Sequence, residues 1–171
     1  MSNNLKFLPS THAALAAHPN IVGCKLSHGD VSLPCQVSSH PSIDHAHFAT
    51  YTGLGQQLLP MMSVGGVGAI DGSAGCFPRT HVRLWELCRL ARPSDEEIAE
   101  RRRLQYRVSC VEELVIAHGT VGIKEAISRL RGFGSVDGGR LPLAKGLGEA
   151  GWSEWEGVVS AVEEEEKRLG G

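Results

Sequence analysis

The sequence lacks several features that mark whole classes of protein. None of its apolar runs approaches the ~18 residues that a membrane-spanning helix needs. Its 17 basic and 19 acidic residues leave a net charge of −2, which provides no electrostatic attraction to nucleic acid or to an anionic membrane. With 171 residues and 42% hydrophobic content, the chain is predicted to be an ordinary globular protein that binds neither nucleic acid nor membrane.

Paired cysteines are also missing. The five cysteines are an odd and scattered set, which predicts no disulfide framework and a reducing compartment. Residues 1–7 have neither the apolar core of a signal peptide nor the arginines of a transit peptide. These features predict a cytoplasmic location, and a mitochondrial one is the alternative if a leader is absent from this sequence. The cysteines are Cys24, Cys35, Cys76, Cys88 and Cys110.

Two common catalytic or cofactor motifs are absent. No G-x-S-x-G elbow supports a Ser-His-Asp triad. The glycine-rich segment 65–72 does not fit a dinucleotide fingerprint, because Asp71 stands where a third small residue is needed and the glycines precede the strand. Close approach of the backbone to a neighbour or a ligand explains these glycines better. We therefore expect no organic cofactor.

Histidines cluster between residues 28 and 47 without a metal-binding pattern. Four residues separate His40 from His45 and one separates His45 from His47, while His28 and Cys35 lie nearby. This spacing matches no standard zinc site, and no paired C-x-x-C is present. The segment is predicted to be a solvated loop, and no metal site is expected.

Three short apolar segments predict strands at residues 21–25, 48–52 and 67–70. Helical segments are predicted between them, at residues 13–17 after a Ser10 or Thr11 cap and at residues 56–63, whereas residues 28–45 are expected to be irregular or weakly helical. Strands separated by helical crossovers predict parallel α/β units.

The second half of the sequence predicts only helices. Apolar residues spaced i, i+3, i+4 and i+7 mark a helix that stops at Pro93, and Ser94 with Glu97 forms a capping box that opens a long one. Gly119 and Gly132 are expected to end successive helices. Ser153 with Glu156 predicts a second capping box, and the glutamates at 163–166 are expected to form the solvated face of the helix that follows.

Lys25 closes the first predicted strand. Its neighbours Ile21, Val22 and Cys24 predict burial on both faces of that strand. A buried amine is held in its neutral form, which can attack a keto group to form an imine. On spacing alone, a lysine that extends into solvent from the strand end is the other interpretation.

These segments together resemble one enzyme family. The runs at 21–25, 52–53, 59–60 and 65–70 look like the late strands of the dihydrodipicolinate synthase/N-acetylneuraminate lyase superfamily. The segments 122–124 and 138–143 resemble the last helices of its 4-hydroxy-2-oxoglutarate aldolase branch. The resemblance implies class I aldolases that act on pyruvate or another 2-keto acid on a (β/α)8 barrel, without metal or organic cofactor.

The resemblance assigns roles to three residues. Lys25 matches the lysine of the sixth barrel strand that forms the imine, Gly53 the glycine that closes the seventh strand, and Ile70 the residue of the eighth strand whose backbone lines the substrate site. Leu26 and Asp71 stand where the family usually has a polar residue and a serine. Both departures favour a branch that acts on 4-hydroxy-2-oxoglutarate or 2-keto-3-deoxy sugar acids.

The resemblance covers only part of a barrel, which takes ~250 residues. It implies the carboxyl-terminal part of a (β/α)8 barrel at residues 1–92, with the last three strands, and a helical region at 93–171. Strands one to five, the Gly-Thr-Thr loop and the proton-relay tyrosine are not matched, and Tyr51 and Tyr106 fit neither role. The expected activity is cleavage of a 4-hydroxy-2-keto acid by a truncated aldolase whose full-length relatives are oligomers. The alternative is an inactive fragment or paralogue that binds full-length barrel subunits.

Overall fold

A computed structural model describes residues 6–27, 29–137 and 139–170. The chain forms two compact units, the first ending at Ile70 and the second beginning at Asp71. The division that the family resemblance implies, between residues 92 and 93, lies later in the chain and stays a prediction. His28 and Gly138, which were named above, lie outside the described residues.

The first unit contains a parallel three-stranded sheet in the order β1-β2-β3. This arrangement confirms the predicted α/β class with parallel strands. Each strand is shorter than predicted, because only part of each apolar segment pairs with a neighbouring strand. The strands are β1 (Gly23–Leu26), β2 (Ala49–Thr52) and β3 (Gly68–Ala69).

Three α-helices connect or precede these strands. Helix α1 begins at Pro9 after Leu8, so the predicted Ser10 or Thr11 cap is wrong; proline is favoured at a first helical position because it needs no hydrogen-bond donor there. Pro34 and Pro60 each occupy the third position of their helix, where a backbone N–H has no intrahelical partner. The segment 28–45, which was expected to be irregular or weakly helical, contains one regular helix of seven residues. The helices are α1 (Pro9–Ala16), α2 (Ser32–Ser38) and α3 (Leu58–Ser63), the last preceded by a 3-10 turn at Gly55–Gln57.

Helix and sheet residues share one core in the first unit. Strand residues alternate between the two faces of a sheet, so Leu26 enters this core and Cys24 packs against it, while Lys25 between them points to the opposite face. The buried members of the core are Ala16, Leu26, Leu33, Val37, Ile43 and Phe48.

The second unit is helical. The predicted capping box is present at the start of α5: Glu97 N donates to Ser94 Oγ (3.2 Å) and Ser94 N donates to Glu97 Oε2 (2.7 Å). Gly119 interrupts this helix with φ 55° and ψ −137°, a conformation that favours glycine. The helix resumes at once and ends at Gly132, as predicted. The helices are α4 (Pro78–Cys88), α5 (Asp95–Arg131), α6 (Gly148–Ser153) and α7 (Glu156–Arg168), with a 3-10 turn at Ser73–Gly75.

The second predicted capping box is wrong. Ser153 is the last residue of α6, and its hydroxyl donates to the carbonyl of Ala150 (2.8 Å). Trp155 takes the N-cap position of α7 instead, without a side-chain cap. A serine that is already inside one helix has helical backbone angles, and it cannot adopt the extended conformation that an N-cap requires.

The glutamate run was also predicted wrongly. Glu164 is exposed, but Glu165 and Glu166 are buried. Glu166 accepts hydrogen bonds from the backbone of Arg79 (2.9 Å) and Thr80 (2.8 Å), the second and third residues of α4. Its carboxylate thus satisfies donors that the first turn of a helix leaves free.

The other two glutamates of the run pair with arginines. Glu165 accepts from Arg103 Nε (2.8 Å) and Arg168 Nε (3.0 Å). Glu163 pairs with Arg131 (2.6 Å), whose Nε also donates to the carbonyl of Cys76 (2.8 Å). These ion pairs connect α7 to neighbouring segments of the unit. They are needed because a carboxylate that is removed from water must gain a partner.

An apolar core fills the space between the helices of the second unit. No helix in the described part of the chain is long and apolar enough to cross a membrane. The buried members of this core are Cys76, Phe77, Val111, Leu114, Ala126, Trp152, Val159 and Val162.

Candidate active site

The predicted site residues lie together at the carboxyl ends of the three parallel strands. Lys25 is the third residue of β1, Gly53 follows β2 and Ile70 follows β3. Gly53 N donates to the carbonyl of Leu26 (2.7 Å), and Ile70 N donates to the carbonyl of Thr52 (2.9 Å). These backbone bonds extend the ladder beyond the strands and hold the three segments in register.

Gly53 lies directly against the lysine. A Cβ atom at Gly53 would be 2.8 Å from Lys25 Cε and would overlap Ser27 Oγ. The bare backbone at this position therefore leaves the path of the lysine side chain clear, a close approach of the kind that glycine permits.

Lys25 is exposed, which contradicts the predicted burial on both faces of its strand and agrees with the other interpretation, a lysine that extends into solvent from the strand end. Val22 is also 61% exposed, and Ile21 and Cys24 are only half-buried. In the described part of the chain the sheet has three strands, so the face that carries Lys25 is not covered as it is in a closed parallel sheet. The strand's apolar residues reflect burial of one face only.

Tyr51 is the neighbour of Lys25 across the sheet. The two residues are partners in the β1–β2 register, so their side chains point to the same face. The sequence did not assign Tyr51 a role, because its position matches no tyrosine of the resembling family. The sheet register brings the phenol and the amine to adjacent positions.

Side chains behind the sheet order the loops around this edge. Thr52 is fully buried, and its hydroxyl donates to Gln57 Oε1 (2.9 Å). Gln57 Nε2 donates in turn to the carbonyl of Gly29 (3.3 Å), in the loop after β1. The loops that follow β1 and β2 are thereby tied to one another, which fixes the backbone beside Lys25.

The second unit holds a separate cluster that the sequence did not reveal. Asp71, His81 and Glu112 each place one donor atom within 4.8 Å of the others, and all three side chains are nearly buried. His81 Nε2 lies 3.6 Å from Asp71 Oδ2 and 2.8 Å from Ser73 Oγ. His81 Nδ1 donates to the carbonyl of Phe77 (2.8 Å).

The two carboxylates of this cluster accept few hydrogen bonds. Ser73 N donates to Glu112 Oε1 (3.1 Å), and Ala74 N donates to Asp71 Oδ1 (2.9 Å). Glu112 Oε2 is buried without a hydrogen-bond partner. Burial raises the pKa of Glu112 and the negative charge of Asp71 raises it further, while hydrogen bonding from Ser73 and the proximity of His81 oppose the shift without cancelling it. A signal for this site was present in the sequence, since Glu112 interrupts the apolar stripe of α5 beside Val111.

The histidine-rich segment of the first unit uses its rings for local hydrogen bonds. His40 Nδ1 accepts from Ser42 N (3.2 Å), and His45 Nε2 donates to the carbonyl of His40 (3.1 Å). Across the residues that the structure describes, the grouping of three potential metal ligands is the one around His81.

The chain is an α/β protein whose lysine and glycine lie at the carboxyl ends of parallel strands, where proteins of this class commonly bind ligands. The model of the dihydrodipicolinate synthetase family matches residues 2–149. The chain belongs to this family, as its sequence motifs predicted.

Curated relatives share about a third of the aligned residues. The protein named "Probable 4-hydroxy-2-oxoglutarate aldolase, mitochondrial" from Emericella nidulans is 33% identical over 121 residues, which are 71% of this chain and 37% of the relative. The 4-hydroxy-tetrahydrodipicolinate synthase of a Thermoanaerobacter species is 32% identical over 143 residues, or 83% of this chain and 45% of the relative. The chain thus spans less than half the length of these two relatives.

Solved structures show the same fold. A dihydrodipicolinate synthase family protein from Coccidioides immitis superposes with a TM-score of 0.78 at 22% identity, over 97% of this chain and 53% of the other. A prophage protein of the same family from E. coli, solved with pyruvate, has a TM-score of 0.73 at 24% identity, over 91% and 51%. The chain corresponds to about half of each structure.

Proposed function

We propose that this chain is the carboxyl-terminal part of a class I aldolase, with the last three strands of a (β/α)8 barrel. The substrate class is a 4-hydroxy-2-keto acid, such as 4-hydroxy-2-oxoglutarate or a 2-keto-3-deoxy sugar acid, and the product is pyruvate or a related keto acid plus an aldehyde. One observation carries the proposal: Lys25 lies near the carboxyl end of β1 against Gly53, at the end of the sheet where enzymes of this architecture bind substrate. The name of the Emericella relative and the pyruvate in the E. coli structure support this substrate class.

Lys25 is the nucleophile in this proposal. Its amine attacks the keto carbon, and loss of water gives an iminium that withdraws the electron pair of the breaking C–C bond. Loss of the proton from the 4-hydroxyl group releases the aldehyde and leaves an enamine. Protonation of the enamine carbon restores the iminium, and water then releases the keto acid and regenerates the amine. No metal or organic cofactor enters these steps.

Gly53 and Ile70 are assigned to the substrate pocket. Gly53 leaves space beside the amine, and the backbone at Ile70 lines the pocket where β3 ends. Tyr51 stands next to Lys25 in the sheet register and on the same face, where a phenol is suited to exchange a proton with the carbinolamine.

Borohydride trapping tests this assignment. The full chain is incubated with pyruvate and reduced, so that hydride adds to the imine carbon and leaves a stable secondary amine. Peptide mass spectrometry should find the adduct on Lys25. Lys145, an exposed lysine outside the sheet, is the internal comparison for nonspecific modification.

Variants make the test selective. K25R should abolish the adduct and K145R should leave it unchanged. G53A should reduce trapping, because the added methyl group meets Lys25 Cε and Ser27 Oγ. If Lys25 and Lys145 are modified equally, or if no adduct forms while circular dichroism shows the folded chain, this chain is not itself competent.

A second candidate function is the binding of a longer barrel subunit. In the described residues, β1 and β3 each pair with β2 alone, and Val22 (61% exposed) and Ile70 (51% exposed) are open apolar residues of the same unit. Unpaired strand edges are templates for further strands. Co-purification with a full-length family member, lost when Val22 is changed to lysine, would favour this function, and a chain that stays alone would oppose it.

The oligomeric state and the compartment follow from the same reasoning. The chain is proposed to act as part of a homo-oligomer, as the family resemblance implies. Its scattered cysteines favour the cytoplasm, whereas the mitochondrial name of the Emericella relative favours that organelle.

A further inference from the structure

We propose that Asp71, His81 and Glu112 form a binding site for one divalent metal cation in the second unit, with Ser73 as a fourth donor. This site is independent of the lysine chemistry proposed above. It joins three consecutive parts of the unit: the 3-10 turn that follows Asp71, helix α4 through His81, and helix α5 through Glu112.

The geometry of the donor atoms suits a cation. Metal–ligand bonds of about 2.0–2.2 Å place two donors about 3–4 Å apart. His81 Nε2 and Asp71 Oδ2 are already 3.6 Å apart, and all three chosen atoms lie within 4.8 Å of each other. A small movement of the Glu112 carboxylate toward the other two ligand atoms would bring all three donors to metal-binding distance.

The histidine is held in the form that binds metal. A carbonyl oxygen can only accept, so the hydrogen bond from His81 to Phe77 places the proton on Nδ1. The Nε2 lone pair of the neutral ring then accepts from Ser73 Oγ (2.8 Å), with Asp71 Oδ2 3.6 Å away, and a cation bound here would take up that lone pair. Metal-binding histidines are commonly fixed in this way, with the second ring nitrogen donating to a backbone carbonyl.

Charge and hydrogen bonding give a separate reason. Glu112 is fully buried, and its Oε2 has no hydrogen-bond partner. Of the lysines and arginines in the described segments, none lies within ion-pair distance of Asp71 or Glu112. Two buried carboxylates with one imidazole carry up to two uncompensated negative charges, and such charges are stable inside a protein only when paired or bound to metal.

A buried glutamate elsewhere in α5 shows what a compensated carboxylate looks like. Glu125 is 1% exposed, but Arg129 pairs with it (2.9 Å) and the backbone N–H of Leu147 donates to its other oxygen. Glu125 therefore needs no cation, and it provides a matched control in the same helix.

The donor set predicts the kind of cation. Two carboxylate oxygens, one imidazole nitrogen and one hydroxyl favour Zn²⁺, Mn²⁺ or Fe²⁺ over Mg²⁺ or Ca²⁺, which prefer all-oxygen ligands. Zn²⁺ and Mn²⁺ are the practical probes, because neither changes oxidation state under ordinary buffer conditions.

The test is equilibrium dialysis of the full chain against Zn²⁺ or Mn²⁺ after chelator treatment, with bound metal measured by elemental analysis. We expect one cation per chain. At a hundredfold excess of cation over Kd, the melting temperature should rise by roughly 5–10 °C. E112Q and D71N should each weaken binding at least tenfold, while E125Q should bind like the unchanged chain. The proposed site would be refuted if E112Q bound the cation as tightly as the unchanged chain, or if no cation bound at all. A proton or a water molecule would then be the partner of Glu112.

A second measurement does not depend on the variants folding. X-ray absorption at the zinc edge of the unchanged chain should show one imidazole and oxygen ligands. Sulfur ligands would place the zinc on cysteines and would refute the proposed site.

Discussion

The buried carboxylates of α7 and those around His81 belong to the same unit, but they are compensated to different degrees. Glu165 has two arginine partners, and Glu166 accepts two backbone N–H groups and the hydroxyl of Thr80. Glu112 has hydrogen bonding from Ser73 but no arginine partner, and its second oxygen is without a hydrogen-bond partner. Both sets are removed from water, yet only one of them is satisfied by the protein itself.

The pKa values of Glu165 and Glu112 shift in opposite directions, because only Glu165 has arginine partners. Burial opposes ionisation of Glu165, but the hydrogen bonds and charges of Arg103 and Arg168 outweigh it and lower the pKa. Burial raises the pKa of Glu112, where no arginine opposes it. Burial of an acidic residue therefore does not by itself indicate a site, whereas burial without compensation does.

The largest difference should appear when Glu166 is removed. E166A leaves the amides of Arg79 and Thr80 without their acceptor at the start of α4, so we expect a loss of about 2–4 kcal/mol in the free energy of unfolding. Urea denaturation at neutral pH measures it. E164A, which changes an exposed glutamate of the same run, should lie within about 0.5 kcal/mol of the unchanged chain. A similarly small effect of E166A would show that the cap contributes little.

Glu112 should respond in the opposite direction. In chelator-treated protein, E112Q removes a poorly compensated charge while keeping the side-chain shape, so stability should stay equal or increase by up to about 1 kcal/mol. Thermal and urea unfolding with chelator present provide the measurement. A loss above about 2 kcal/mol would mean that the Glu112 carboxylate is well satisfied, and the contrast with α7 would fail.

Arg168 allows the compensated set to be tested by acid. It pairs with both Glu100 and Glu165, whose pKa values are lowered in the folded chain. Such groups stabilise the fold above their unfolded pKa, and this stabilisation is lost as the pH falls through the folded pKa. R168M should cost about 0.5–1 kcal/mol near pH 7, because Arg168 is half-exposed.

The pH profile separates this pairing from a general effect of losing an arginine. The difference between R168M and the unchanged chain should shrink as the pH falls below the ordinary glutamate range, when both carboxylates are protonated. R92M, at an exposed arginine, should run parallel to the unchanged chain. A constant difference between R168M and the unchanged chain at all pH values would contradict the assignment.

The smallest effect concerns a thiol that is buried without a strong compensating charge. Burial raises the pKa of Cys88 to about 11, so alkylation by iodoacetamide should be slow at pH 8 and should accelerate toward pH 11. Urea-unfolded protein gives the reference rate for each cysteine. The raised pKa stabilises the fold below the unfolded thiol pKa and is lost as the pH rises through about 11. Equal alkylation rates at pH 8 in folded and unfolded protein would contradict it.

The sequence predicted those features that depend on local patterns. The parallel strands, the capping box at Ser94 and the break at Gly119 each rest on a few adjacent residues, and the structure confirms them. The positions of Lys25 and Gly53 at one sheet edge followed from the family resemblance. Their catalytic and binding roles remain predictions.

The features that the sequence did not predict depend on the surrounding structure, which a short spacing pattern does not contain. Ser153 has the spacing of a cap, but α6 already includes it. The run at 163–166 resembles a solvated surface until arginines and the start of α4 lie beside it. Lys25 appeared buried because its neighbours are apolar, and only the sheet shows that one face of β1 is open.

The cap that Glu166 provides for α4 also affects the order in which the chain can fold. The carboxylate and the amide of Thr80 are 86 residues apart in the sequence. During synthesis at about 5–20 residues per second, α4 must wait several seconds for this acceptor to be made. Until then the first turn of α4 has only water as its partner. We therefore expect nascent chains that stop before Glu166 to be held by chaperones or degraded, even though α4 and α5 are already complete in them.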